Sequence, residues 1–245
     1  MHTDTHTLPA DRPLAWERPA LTGGIMYAIG QIVAVAYFIT VLAPHLPPLD
    51  APLTEQGAFY SAYARENALV AYLSVLPVPF FLVFLGGLFG VLRRLEHGVG
   101  VLTATAIGAG LAMAMVWPIG IVVADAGQGM ASAGLDPAAV MAFDGTAQLA
   151  LALSAFPRAV LLVATSVGLL SSRALPRWLG WSGCGLALVA LAATTTLLDA
   201  NLYPVLAIAS LLSDIWVGLV GGILLRRVPT ERFSHVSRQA GLVAS

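Results

Sequence analysis

The chain has no lysine and a single cysteine, and only 10% of its 245 residues are charged. The lone Cys184 excludes an intramolecular disulfide and a thiolate metal cage, which leaves it the role of a small apolar packing residue. All twelve basic residues are Arg, dispersed singly or in pairs. Without a basic stripe, nucleic acid is excluded as a partner. His2, His6, His45, His97 and His235 fall in tails and loops with no zinc-ligand spacing, so no metal is expected. No Gly-rich phosphate loop, nucleophile elbow or haem-binding histidine pair occurs, so no cofactor is expected either. The all-arginine set, with the Ala, Gly and Pro content, points to a GC-rich bacterial source.

What is present is apolar. Soluble domains carry roughly 25% charged residues, whereas this chain is 58% hydrophobic with a mean hydropathy of +0.84. About twenty apolar residues cross the hydrocarbon core as a helix, and six runs qualify: Leu21–Ala43, Leu69–Leu92, Val99–Ala124, Gly145–Ser171, Trp178–Leu198 and Tyr203–Leu225. The first is too long for a signal-peptide core and is expected to stay as an anchor. The expected fold is an all-α integral membrane bundle of six transmembrane helices. Residues 1–20 and 229–245 would be disordered cytoplasmic tails around a transmembrane domain at 21–228.

Arginine placement orients the bundle. With both termini inside, Arg12, Arg18, Arg93, Arg94, Arg173, Arg177, Arg226, Arg227, Arg232 and Arg238 face the cytoplasm and only Arg65 lies outside, as the positive-inside rule requires. The outer side instead carries Asp50, Glu55, Glu66, Asp125, Asp136, Asp144 and Asp199. Two short interfacial helices are expected there. One spans Thr54–Glu66, with Phe59, Ala62 and Tyr63 on one face; the other starts at Asp136–Pro137 and ends near Asp144–Gly145. The fifth and sixth spans, joined through Asp199, Ala200, Asn201 and Leu202, should form a tight hairpin.

Arg158 lies thirteen residues from either end of the run Gly145–Ser171. A guanidinium keeps its proton, so a partner must answer its charge inside the bilayer. The other ionisable residue deep in an apolar run is Asp214, eleven residues from Tyr203, at similar depth on a span running the same way. Asp144, Gln148, Leu151, Ala155 and Arg158 follow at steps of four, three, four and three, so they share a face expected to look into the bundle. Pro157 lacks an N–H and should kink this span by freeing the carbonyl of Leu153. Paired with Arg158, Asp214 is expected to remain a carboxylate and to orient a guanidinium that binds substrate. Packing registration is the other reading of such a pair.

The outer acids differ among themselves. Asp144 begins its helix, where a cap and the macrodipole favour it; Asp125 and Asp199 end theirs, against the dipole, and so weigh more as site candidates. A carboxyl at a desolvated mouth can exchange a proton near neutrality. Asp125, Asp144 and Asp199 are therefore the candidate catalytic residues. Arg158, Asp214, Gln148, Gln31, Tyr27 and Glu66 are the candidate substrate-binding residues.

The segment LPRWLGW (Leu175–Trp181), preceded by Ser172 and Arg173, and the terminal Ile215, Trp216, Gly218 and Arg226 resemble the C-terminal third of a large family of uncharacterised bacterial multi-pass proteins. The resemblance implies a small helical membrane bundle and carries no activity. By format alone the chain is also similar to small integral-membrane cyclases, which protonate lipophilic substrates inside a bundle. The function expected is a membrane-embedded enzyme using acid–base chemistry on a lipophilic small molecule: a cyclase, isomerase or epoxide-opening enzyme. The alternatives are a small proton- or solute-coupled transporter, working as a homodimer because six spans enclose little volume, and a non-catalytic accessory protein.

Overall fold

The computed structural model describes residues 16–48, 51–96, 100–134, 137–172, 176–199 and 202–227, without the side chains of residues 53, 137, 138, 141, 144 and 172. The expectations for the two tails, for Arg12, Arg173, Arg232 and Arg238, for Asp50, Asp136, Ala200 and Asn201, and for four of the five histidines lie outside them. Within them every regular element is helical, and six helical segments are long and apolar enough to cross a membrane. The protein is an all-α, multi-pass membrane bundle.

The first span is helix α1 (Glu17–Tyr37), which loosens into a π-helical turn (Phe38–Leu42) and a 3₁₀ turn (Ala43–His45). The second is broken by its prolines: α3 (Ala64–Val75) stops ahead of Pro77, and α4 (Val78–Leu95) restarts on the Pro77 carbonyl, to which Phe80 donates at 3.0 Å. This span begins at Ala64, earlier than the apolar run suggested. The expected helix over Thr54–Glu66 is instead split at Tyr63: α2 (Leu53–Ala62) ends there and α3 continues into the membrane. Phe59 is buried and stacks on Tyr63, with ring centroids 5.1 Å apart.

Helix α5 (Val101–Ser132) passes through Pro118 unbroken. Its 32 residues span ~48 Å at 1.5 Å per residue, well beyond the ~30 Å hydrocarbon core. The expected end at Ala124 is therefore wrong. Buried Gly127 keeps the last turns packed, and Gly134, at φ 70°, closes the helix. Helix α6 (Pro137–Leu153) starts at the expected proline but runs straight through Asp144 and Gly145, because it is packed along α5 and no turn forms there. A short break follows at Ser154, whose Oγ donates to the Leu151 carbonyl at 2.6 Å, before α7 (Ala155–Ser172). The fourth span is thus two helices in series, broken one residue beyond Leu153, whose carbonyl Pro157 leaves without its helical donor.

Helix α8 (Arg177–Ala193) winds down through Thr194, Thr195 and Thr196, each hydroxyl donating to the carbonyl three residues back at 2.6–2.7 Å. That local competition tightens the helix into a 3₁₀ turn, and α9 (Tyr203–Arg227) returns across the bundle. Helix α1 packs between α4 and α9, α5 against α6 and α7, and α7 against α8. Small residues set these distances. A Cβ on Gly221 would meet the Leu21 carbonyl oxygen at 2.8 Å, and one on Gly218 the Ala28 Cβ at 2.6 Å. Gly87, Gly110 and Gly221 are close to a neighbour while Gly108 faces open space.

Alternation of the spans brings Arg18, Arg93, Arg94, Arg177, Arg226 and Arg227 to one end of the bundle. There Glu17, fully buried, pairs with Arg94 through both carboxylate oxygens, at 2.6 Å for Nη2 to Oε2. Glu96 accepts from the Leu102 and Thr103 amides, both at 2.9 Å, and from the Thr103 hydroxyl at 2.7 Å, which anchors the start of α5.

Candidate functional site

Arg158 and Asp214 meet. The guanidinium Nη1 lies 2.6 Å from Asp214 Oδ1 and donates to the Ser210 carbonyl at 3.1 Å; both side chains are almost wholly buried. The position of each follows from its helix. Beyond the Ser154 break, α7 turns Arg158 inward together with Ala155, Ala159 and Leu162, and Asp214 shares the buried face of α9 with Ser210, Ser213 and Val217. Tyr27 on α1 donates its hydroxyl to the same Oδ1 at 2.9 Å, its ring stacked on Phe81 at 4.9 Å. Three spans are thus tied at one oxygen. Asp214 Oδ2 receives no donor among the described residues.

The other side of the guanidinium is covered by Trp117, whose ring centroid lies 5.6 Å from Arg158 Cζ, within cation–π range. Arg158 Nε and Nη2 and the indole Nε1 of Trp117 are buried and find no acceptor among the described residues. Unpaired buried donors are uncommon, because each forfeits its hydration without return.

A cavity of about 400 Å³ opens on this cluster. It lies between α1, α3, α5, α6 and α9, on the side of the pair away from the arginine-rich end, and is lined mainly by apolar side chains. Asp214, Ser210 and Trp117 form its inner end; Gln31, Asn67 and Ser74 line one wall, with Gln31 Nε2 donating to the Ser74 carbonyl at 3.1 Å. Asp125, Gln128 and Tyr203 also line it. Trp117 and Asp125 are eight residues apart on α5, which puts the acid ~12 Å farther along the axis.

Of the candidate residues, Asp125, Gln31 and Asp214 line the cavity, with Tyr27 and Arg158 directly behind Asp214. Asp125 is there for a different reason from the one the sequence offered: it sits within α5 rather than at its end, so the macrodipole argument does not apply. Asp144 lies inside α6 rather than at its start, and its side chain falls outside the described atoms. Asp199 is exposed beyond the 3₁₀ turn and does not reach the cavity; neither do Glu66 and Gln148, both half-buried. Neither Gln128 nor Trp117 is among the sequence candidates. Trp117, Ile121, Asp125 and Gln128 follow at helical steps on one face of α5, a signal hidden by ending that span at Ala124. Among the described residues no three His, Cys, Asp or Glu side chains cluster as a metal site.

No protein-family model, curated protein or solved structure matches the chain.

Proposed function

We propose that this protein is a membrane-embedded enzyme that binds a lipophilic small molecule in the cavity above the Arg158–Asp214 pair and rearranges it by proton transfer, as in cyclisation, isomerisation or epoxide opening. The observation that carries the reading is an apolar chamber with a carboxyl group at each end. Asp125, half-buried beside Gln128 on the cavity lining, is the group that supplies a proton to the ligand. Asp214, with Oδ1 held by Arg158 and Tyr27, presents Oδ2 as the acceptor that removes a proton at the far end. One proton enters the ligand and one leaves it, and the proton taken by Asp214 passes to water in the cavity once the product departs, so the reaction is redox-neutral.

One-sided access favours catalysis over transport. Toward the arginine-rich end the pair is backed by buried Phe81, Phe84, Leu21 and Leu88, which form a packed core. A proton- or solute-coupled transporter would need a second opening through that layer. In this reading the protein sits in a bacterial inner membrane with both termini cytoplasmic, supported by the arginines gathered at one end.

The test is a comparison of lipophilic metabolites from cells producing the native protein, Asp125→Asn, Asp214→Asn or Asp199→Asn. A product formed by the native protein and by Asp199→Asn, and lost in the other two at equal protein level, is the expected result. Product formation undiminished in both Asp125→Asn and Asp214→Asn overturns the proposal.

A further inference from the structure

We infer that the cavity's ligand carries an uncharged oxygen acceptor, such as a ketone, aldehyde, enone or epoxide, at the end that meets Trp117 and Asp214, in front of Arg158. The inference rests on the function proposed above and names the ligand class that its site would select. Three buried N–H groups, Arg158 Nε and Nη2 and Trp117 Nε1, have no acceptor among the described residues. They belong to two side chains in contact, at 5.6 Å from ring centroid to Cζ. Trp117 and Asp214, which flank the guanidinium, both line the cavity's inner end, and the unpaired donors lie buried directly behind this lining.

Charge decides which acceptor fits. The Arg158–Asp214 pair is already neutral, being bonded at 2.6 Å. A carboxylate or phosphate would leave one negative charge without a counter-charge in a low-dielectric site, a severe penalty. A neutral oxygen takes the free donors without that penalty. Donors on a carbonyl oxygen also withdraw electron density from it, which acidifies the adjacent C–H. Asp214 Oδ2, with no donor among the described residues, is the base beside it. The two halves complement each other: the N–H groups stabilise an enolate-like oxygen while the Asp214 carboxylate takes the proton from carbon, and Asp125 supplies the proton that another carbon of the ligand gains.

The experiment uses the full-length protein in lipid nanodiscs, with dodecan-2-one, dodecane and dodecanoate as probes, each referenced to protein-free nanodiscs. The native protein should bind the ketone about tenfold more tightly than the alkane, the value of a hydrogen bond from a charged donor. Dodecanoate should bind no better than the ketone. The C=O stretch of the bound ketone should move to lower frequency. Trp117→Phe keeps the ring over Arg158 but removes one N–H, so both the preference and the frequency shift should shrink. Equal binding of ketone and alkane, an unshifted C=O stretch, or tighter binding of dodecanoate overturns the inference and leaves the lipophilic cavity standing. Failure of all three probes to bind overturns the proposed function itself. Should Trp117→Phe not fold, the C=O stretch in the native protein decides alone.

Discussion

Replacing Arg158 by leucine removes the charge paired with Asp214 and leaves the buried carboxylate, among the described residues, with the hydroxyl of Tyr27 alone. Breaking a buried pair from one side costs about 3–5 kcal/mol. Asp214→Leu should fall in the same range: Arg158 then keeps the Ser210 carbonyl at 3.1 Å and the face of Trp117, but no counter-charge. The double change Arg158→Leu with Asp214→Leu leaves neither charge, and leucines fill much of the volume. Its loss should be smaller than the sum of the single losses by about 2 kcal/mol or more. Recovery should stay incomplete, because the Tyr27 hydroxyl is orphaned in a buried site at a cost of about 1–3 kcal/mol. Adding Tyr27→Phe to the double change should return much of that remainder. The assay is reversible unfolding in mixed micelles, followed by helix content. Additive single and double losses would refute the ion pair as the tie between the fourth and sixth spans.

Other expectations follow from the same coordinates. Tyr27→Phe alone keeps the ring on Phe81 but removes a hydrogen bond to a charged acceptor; it should cost about 1.5–3 kcal/mol in the same unfolding assay, and no loss would mean the bond does not form. Gly221→Val drives a Cβ against the Leu21 carbonyl at 2.8 Å, whereas Gly108→Ala meets nothing within 4 Å. The first should lose about 1–3 kcal/mol as an overpacked contact, the second nothing, and equal effects would argue against the α1–α9 contact. The Glu96 carboxyl is held below its ordinary range, first by the backbone amide of Thr103. A depressed folded-state value means that its contribution is present above the unfolded carboxylate pKa and is lost as pH falls through the folded one. Native protein and Glu96→Gln should therefore differ in thermal stability at neutral pH and converge in acid; a gap that persists unchanged in acid would contradict the cap.

Much of the bundle was legible because a bilayer imposes a length and a composition on each span, and six runs met both. The Arg158–Asp214 contact was legible too, since two opposite charges at matched depth in lipid have few ways to be solvated other than by each other. What failed were the helix ends placed at Asp125 and at Asp144–Gly145. Ends were drawn where hydropathy fell, but Asp125 and Gln128 stay helical because α5 is packed along α6, and Gly145 stays helical for the same reason. Tertiary packing overrides local turn signals in such a hairpin. Trp117 carried no polar mark in the sequence; its place over the guanidinium depends on how α5 crosses α7, which no periodicity specifies. Glu17 was likewise invisible, since its partner Arg94 lies on another span and only the folded bundle brings them together.

In the proposed function a ligand-accessible chamber runs from the arginine-poor face to the Arg158–Asp214 pair. Ser210 lines its inner end, and Cys184 is the only native cysteine, so Ser210→Cys in a Cys184→Ser background reports on that chamber alone. A small membrane-impermeant thiol reagent added at the arginine-poor face should label this cysteine, and dodecan-2-one should slow the labelling. Labelling only from the arginine-rich face, or at a rate the ketone leaves unchanged, would contradict the account.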